Sequence, residues 1–210
     1  MKTLRLVAMI VALTALPVQG QLEFSGGMNL SELSGAIGGT NLEDVTNRAG
    51  MIFGFDLILP MGGLGLGADW SQKGFENFIT DPATQQEVLR QIDLSYIQVP
   101  LHVRVPVVSV GVTTVNLVLG PTFGIRTGCD VTEGTAAIQK CGQLANGPSF
   151  KNTDIGGTAG LGLSFALGGI VYAGFDVRYT TGMTSINKIS TDSLKNRTLS
   201  LETHLGFGIF

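Results

Sequence analysis

Charge is scarce in this sequence. Only 14% of its residues are Asp, Glu, Lys or Arg, and the net charge is −3. A chain without a basic run is a poor fit to nucleic acid or to an anionic lipid surface as its main partner. Aromatics make up only 7% and histidines number two, His102 and His204. After residue 20 no segment offers the 18 or more unbroken apolar residues of a membrane-crossing helix. Yet mean hydropathy is high, at +0.32, and Gly is common, with 30 of 210 residues. A chain that is apolar overall but never continuously apolar is expected of strands that alternate between lipid and a polar lumen.

The only continuous apolar stretch lies at the start. Lys2 and Arg5 precede an apolar run from Leu6 to Leu16, and Val18-Gln19-Gly20 supplies short residues for a cut after Gly20. This is the layout of a cleaved secretory signal, and the run is too short to span a bilayer. The expected domains are therefore residues 1–20 as signal peptide and 21–210 as one β-barrel domain. The mature chain carries a net charge of −5, because Lys2 and Arg5 are lost. In the oxidising compartment that export implies, Cys129 and Cys141 are expected to pair, at about 3 kcal/mol for so short a loop. A metal site would need further Cys or His nearby, and none is present.

Period-two alternation recurs in eight segments: Leu22–Leu30, Met51–Leu59, Leu64–Trp70, Gln91–Val105, Val112–Gly124, Ile155–Leu167, Val171–Tyr179 and Leu199–Ile209. The fourth changes phase, with Leu94 and Tyr96 out of step with Val99 to Val105; a β-bulge near Gln98–Pro100 would reconcile the two. Small and polar residues dominate the second face, where a soluble sandwich would carry Lys and Glu. The connections run long, short, long, short, long, short, long, at roughly 20, 3, 16, 6, 30, 2 and 17 residues. That asymmetry predicts an eight-stranded antiparallel up-and-down transmembrane β-barrel, all-β in class, with both termini in the periplasm. Trp70, Phe75, Tyr96, Phe123, Tyr172, Tyr179, Phe207 and Phe210 are candidates for interfacial belts. Phe210 itself is one residue out of phase with Leu199–Ile209. The segment 81–91 reads as a short helix, with Asp81 as N-cap and Pro82 in the first position.

Five segments together resemble PorT-like proteins of the outer membrane protein beta-barrel domain family, small barrels of the OmpX/OmpA kind. They are Gly26–Leu30, Ala68–Gly74 (ADWSQKG), Leu94–Leu101 (LSYIQVPL), Leu119–Gly124 (LGPTFG) and Phe175–Met183 (FDVRYTTGM). The resemblance implies a barrel in the bacterial outer membrane. It brings no shared activity, cofactor or ligand.

Candidate chemistry is sparse. Asp56, Asp69, His102, Arg104, Asp154, Asp176, Arg178, Glu202 and His204 fall in the polar phase, and charges inside a narrow barrel must pair. They are expected to form a lumen network. Ser200, Glu202 and His204 contain the residue types of acyl hydrolysis, but lie two apart on one strand and would face the lumen. Gly63–Gly67 lacks the Lys-Ser/Thr of a phosphate loop. Asn29-Leu-Ser31 and Asn196-Arg-Thr198 match glycosylation sequons, incidental in a bacterial protein. No catalytic, metal or cofactor-binding residue is expected. The expected partners are outer-membrane lipid and an extracellular or envelope protein. The expected role is non-enzymatic, structural or in binding through extracellular loops. A place in a secretion or transport apparatus is the alternative, and a lipid-active enzyme the second.

Overall fold

The computed structural model describes residues 20–37, 40–41, 46–60, 63–80, 85–134, 136–141, 149–188 and 194–209. They form ten strands: β1 Gly20–Ile37, β2 Thr40–Asn41, β3 Thr46–Leu59, β4 Leu64–Thr80, β5 Glu87–Val110, β6 Thr113–Glu133, β7 Gln139–Lys140, β8 Thr153–Gly168, β9 Val171–Gly182 and β10 Leu194–Ile209. The eight long strands pair antiparallel with their chain neighbours, and β10 pairs back to β1 from Gly20↔Ile209 to Gly35↔Leu194. The sheet is therefore a closed barrel, and among the described residues the edges left are short ones at its two ends. The two-residue strands decorate one rim, β2 on β1 and β7 on β6.

One circuit of paired residues runs Pro106, Asn116, Gly162, Asp176, Glu202, Gly27, Ile52, Ser71, Tyr96. It returns to β5 ten residues from its start. With eight strands this stagger sets a tilt of about 40°. Strand alternation does the rest. Phe24, Met28, Phe53, Phe55, Leu66, Val99, Leu101, Leu161, Phe175, Leu201 and Leu205 point outward and are exposed, while their neighbours turn into the lumen.

Connections 60–63, 111–112 and 169–170 are short and share one end of the barrel with both strand termini (the turn end). Connections 38–45, 81–86, 134–152 and 183–193 mark the loop end. The alternation of long and short matches expectation, but the long connections are shorter than expected, because the strands run on. β5 has 24 residues, where about 10 suffice to cross a bilayer. Glu87–Gln91 belong to β5, so a helix over 81–91 is not formed there; Asp81 and Pro82 lie outside the described residues, as do residues 1–19 and Phe210.

The phase change expected on β5 falls elsewhere. Even-numbered residues of β5 face inward without interruption from Ile92 to Arg104. One register shift of this strand pair lies between Pro106 and Val108, where β5 carries an extra residue, Val107; the other lies opposite Ser95 and Tyr96, where β6 carries an extra residue, Thr127. Its hydroxyl bonds the Ser95 carbonyl at 3.3 Å. The bulge moves β6 from Thr122 inward to Cys129 and Val131 inward. Leu94 and Tyr96 are thus inside the barrel. With Leu33, Phe75, Ile92, Cys129, Val131, Cys141, Phe150, Ile186 and Leu194 they form an apolar core. This corrects the belt assignment of Phe75 and Tyr96, which are buried, and of Tyr172, whose hydroxyl turns to Glu23. Trp70, Phe123 and Tyr179 do stand on the outer face.

Candidate functional site

The lumen has two storeys. The lower one holds all nine polar residues named from the sequence, each buried. Five strands supply its centre. Arg104 of β5 bonds Glu23 of β1 at 3.0 Å and Asp176 of β9 at 3.0 Å. Arg178, two residues along β9, bonds the same Asp176 at 2.6 Å and approaches Glu202 of β10 at 3.4 Å. His204 of β10 sits between Glu23 and Asp176, its Nε2 3.7 Å from one and its Nδ1 3.8 Å from the other. His102 faces Asp56 at 3.8 Å. Toward the loop end, Lys73 lies 3.6 Å from Asp154 and 5.3 Å from the Tyr96 ring centre. Asn196 donates to Asp154 at 2.7 Å. Asp69 has no ion-pair partner among the described residues; it lines a cavity of about 30 Å³ with His102, Arg178 and Glu202. Glu23, Tyr172 and Lys73 are members that the sequence reading left out. For Glu23 the signal was present, since it shares the phase of Ser25, Gly27 and Asn29.

Glycines make this crowding possible. A Cβ at Gly174 would enter the His204 imidazole, and one at Gly206 would enter the Tyr172 ring. Hydroxyl and amide ladders tie the walls together: Thr122 to Thr158 at 3.0 Å, Thr158 to Thr180 at 2.8 Å, and Ser200 to Asn29 to Ser71 at 2.7 and 2.8 Å.

The upper storey, at the loop end, is the apolar core. The disulfide Cys129–Cys141 holds β7 and Cys141, the residue that follows it, against β6. Outside it, Arg48 of β3 clamps Glu76 of β4 and Asp93 of β5. Arg90 pairs with Glu133 and Lys140 with Asp130. Asp93 and Asp130 are direct cross-strand partners, a like-charge contact that Arg48 and Lys140 offset from either side.

The profile of the family described as "Outer membrane protein beta-barrel domain" matches residues 19–188. The chain belongs to this family. It is an outer membrane β-barrel protein. Among solved structures it is similar to Ail, the attachment invasion locus protein of Yersinia pestis, at 13% identity and a TM-score of 0.44, covering 90% of this chain and 99% of that one. Neisserial surface protein A is similar at 13% identity, a TM-score of 0.46, and coverage of 88% and 96%. The outer membrane enzyme PagL has 14% identity, a TM-score of 0.32, and coverage of 86% and 99%. No curated protein matches this sequence.

What the barrel's interior can do follows from its partners. Glu23, Asp176 and His204 bring one possible ligand atom each within 4.8 Å of one another. But His204 offers opposite ring nitrogens to the two carboxylates, and Arg104 already bonds both. One cation cannot use both nitrogens, and two guanidiniums stand beside it. The set has the geometry of an ion-pair knot. Ser200, His204 and Glu202 do not assemble either: Ser200 donates to Asn29, and Glu202 faces Arg178. The sequon residues Asn29 and Asn196 are buried and hydrogen-bonded. Gly63 lies in the β3–β4 turn and Leu64–Gly67 in β4, with Leu64 and Leu66 outward. At the turn end the lumen opens into a vestibule of about 650 Å³, floored by Arg104, Asn116, Ser164 and Tyr172.

Proposed function

We propose that this protein is a non-enzymatic outer-membrane barrel that works by presenting its loop end at the cell surface to a binding partner, while the filled lumen serves as its rigid support. The turn end and both strand termini then face the periplasm. One observation carries this reading: the loop end is built, not merely connected. Five long strands, β1, β4, β5, β6 and β10, supply side chains to an apolar core there, and a disulfide and four ion pairs pin that end. A barrel acting only as a membrane body has no use for a second core outside the bilayer. The finer kinship to PorT-like proteins rests on the sequence motifs and belongs to the same proposal, as does the signal peptide at 1–20.

Photo-crosslinking tests it. A crosslinker at Phe78 or Ile138, both exposed at the loop end, should capture a discrete partner on intact cells. The same group at lipid-facing Leu201 should capture lipid alone. If protease added to intact cells spares 134–152 but cuts there after permeabilisation, the orientation is wrong. If the loop end is outside and both loop-end positions yield no adduct, the binding role fails and a structural one remains.

A further inference from the structure

The turn end is unusual in what covers it. Short turns that face water are ordinarily polar, yet here the rim is aliphatic. Val110 is 72% exposed, Val112 64%, Leu167 63% and Val107 61%. No charged residue occurs from Val105 to Ile125 or from Ile155 to Phe175. These residues sit on two neighbouring hairpins, β5–β6 and β8–β9, joined by the pairing of Thr113 with Phe165.

The stagger of the barrel makes this side protrude. A strand tilted by about 40° descends roughly 2.5 Å per residue, and each step to the next strand climbs roughly 3 Å. Along the circuit above, Ile52 stands six strands above Pro106, and Leu59 lies seven residues below Ile52. Val110 lies three ladder steps below Pro106, because Val107 is an extra residue on β5. The β5–β6 tip therefore reaches about 8 Å farther along the axis than the β3–β4 turn.

We propose that the β5–β6 and β8–β9 tips are seated in the lipid headgroup layer and the adjoining acyl region of the leaflet at the turn end. The barrel then sits deeper on that side. This rests on the reading of the chain as a membrane-spanning barrel. Three observations favour lipid over a protein partner. The patch is continuous with the lipid-facing residues Val103, Val105 and Phe165. It carries aliphatic side chains and none of the Arg, Tyr or Trp that anchor protein interfaces. And the edge of β5 beyond Arg104, whose N–H still bonds the Gly63 carbonyl, is blunted by Pro106, which has no N–H for an incoming strand. The remaining backbone groups of that edge need water, which places the tip at headgroup depth and not in the hydrocarbon.

Trp70 is the only tryptophan. In a Trp70→Phe background, single tryptophans are placed at Val110, Val112, Pro60 and Leu201. Each protein is folded into phosphatidylcholine vesicles whose acyl chains carry bromine at a shallow or a deep position. Tryptophan at 110 and 112 should be quenched by shallow bromines more than by deep ones, and should be at least twofold better protected from acrylamide than tryptophan at 60. If 110 and 112 are as open to acrylamide as 60 and untouched by bromolipid, while 201 is quenched, the seat is overturned and a protein cover becomes the explanation of the patch. If 201 also escapes bromolipid, the membrane barrel itself is wrong.

Discussion

Asp176 is the residue on which the lumen network turns. Its carboxylate is shared by Arg104 and Arg178 and faces His204, and all four are buried. Replacing it with alanine leaves two guanidiniums without their common anion. Asp176→Ala should destabilise the barrel by about 3–5 kcal/mol, read from urea unfolding in vesicles, because an unpaired buried charge costs its desolvation. Asp93→Ala removes an ion pair whose carboxylate is 38% exposed and should cost under about 1 kcal/mol in the same titration. Equal losses at the two sites would contradict the two-storey account. The nine polar positions were legible because period-two alternation puts them in one phase. Which carboxylate pairs with which guanidinium was not, since those contacts join strands up to 81 residues apart. Tyr172 escaped because a tyrosine near a strand end looks the same whether it faces lipid or leans over Gly206 into the lumen.

Among the elements, β5 and β6 show where a local pattern misleads. Leu94 and Tyr96 look out of step only if every apolar residue of the strand faces lipid. Beyond the bilayer the rule inverts: the lumen becomes an apolar core and the outer face carries Arg48, Glu76 and Asp93. Reading that inversion needs the height at which the membrane ends, which alternation alone does not carry. Beside the apolar core the phase change is on β6, at Thr127; the extra residue of β5, Val107, lies at the other end of the strand. Deleting Thr127 should turn Cys129 outward and prevent the disulfide, so that two thiols label under denaturing, non-reducing conditions where the wild type gives none. Breaking the disulfide directly, with Cys129→Ser and Cys141→Ser together, should cost about 3 kcal/mol. The loss should be local. Proteolysis within 134–152 should quicken while the unboiled barrel keeps its fast gel mobility. The helix expected over 81–91 gives way for a related reason: the capping residue types at Asp81 and Pro82 carry no information about the β4 strand, which recruits Glu87–Gln91 by pairing Thr80 with Glu87.

For the molecule as a whole, architecture was the most legible level. Eight alternating segments, an even count and the long–short rhythm of connections are consequences of closing one sheet in a bilayer. Closure rests on the pairing of β10 with β1; Phe210 lies outside the described residues. The packed lumen predicts that the protein in planar bilayers gives no stable conductance steps, while reconstituted folded protein is shown present by its heat-modifiable band. The most direct test of the whole account is a nitroxide scan of residues 199–207 in vesicles. The closed transmembrane barrel predicts oxygen accessibility that alternates with period two, high at 199, 201, 203 and 205 and low at 200, 202 and 204, with a water-soluble nickel reagent excluded from the odd positions. A scan in which the odd positions are open to the nickel reagent, or in which no alternation appears, would contradict it.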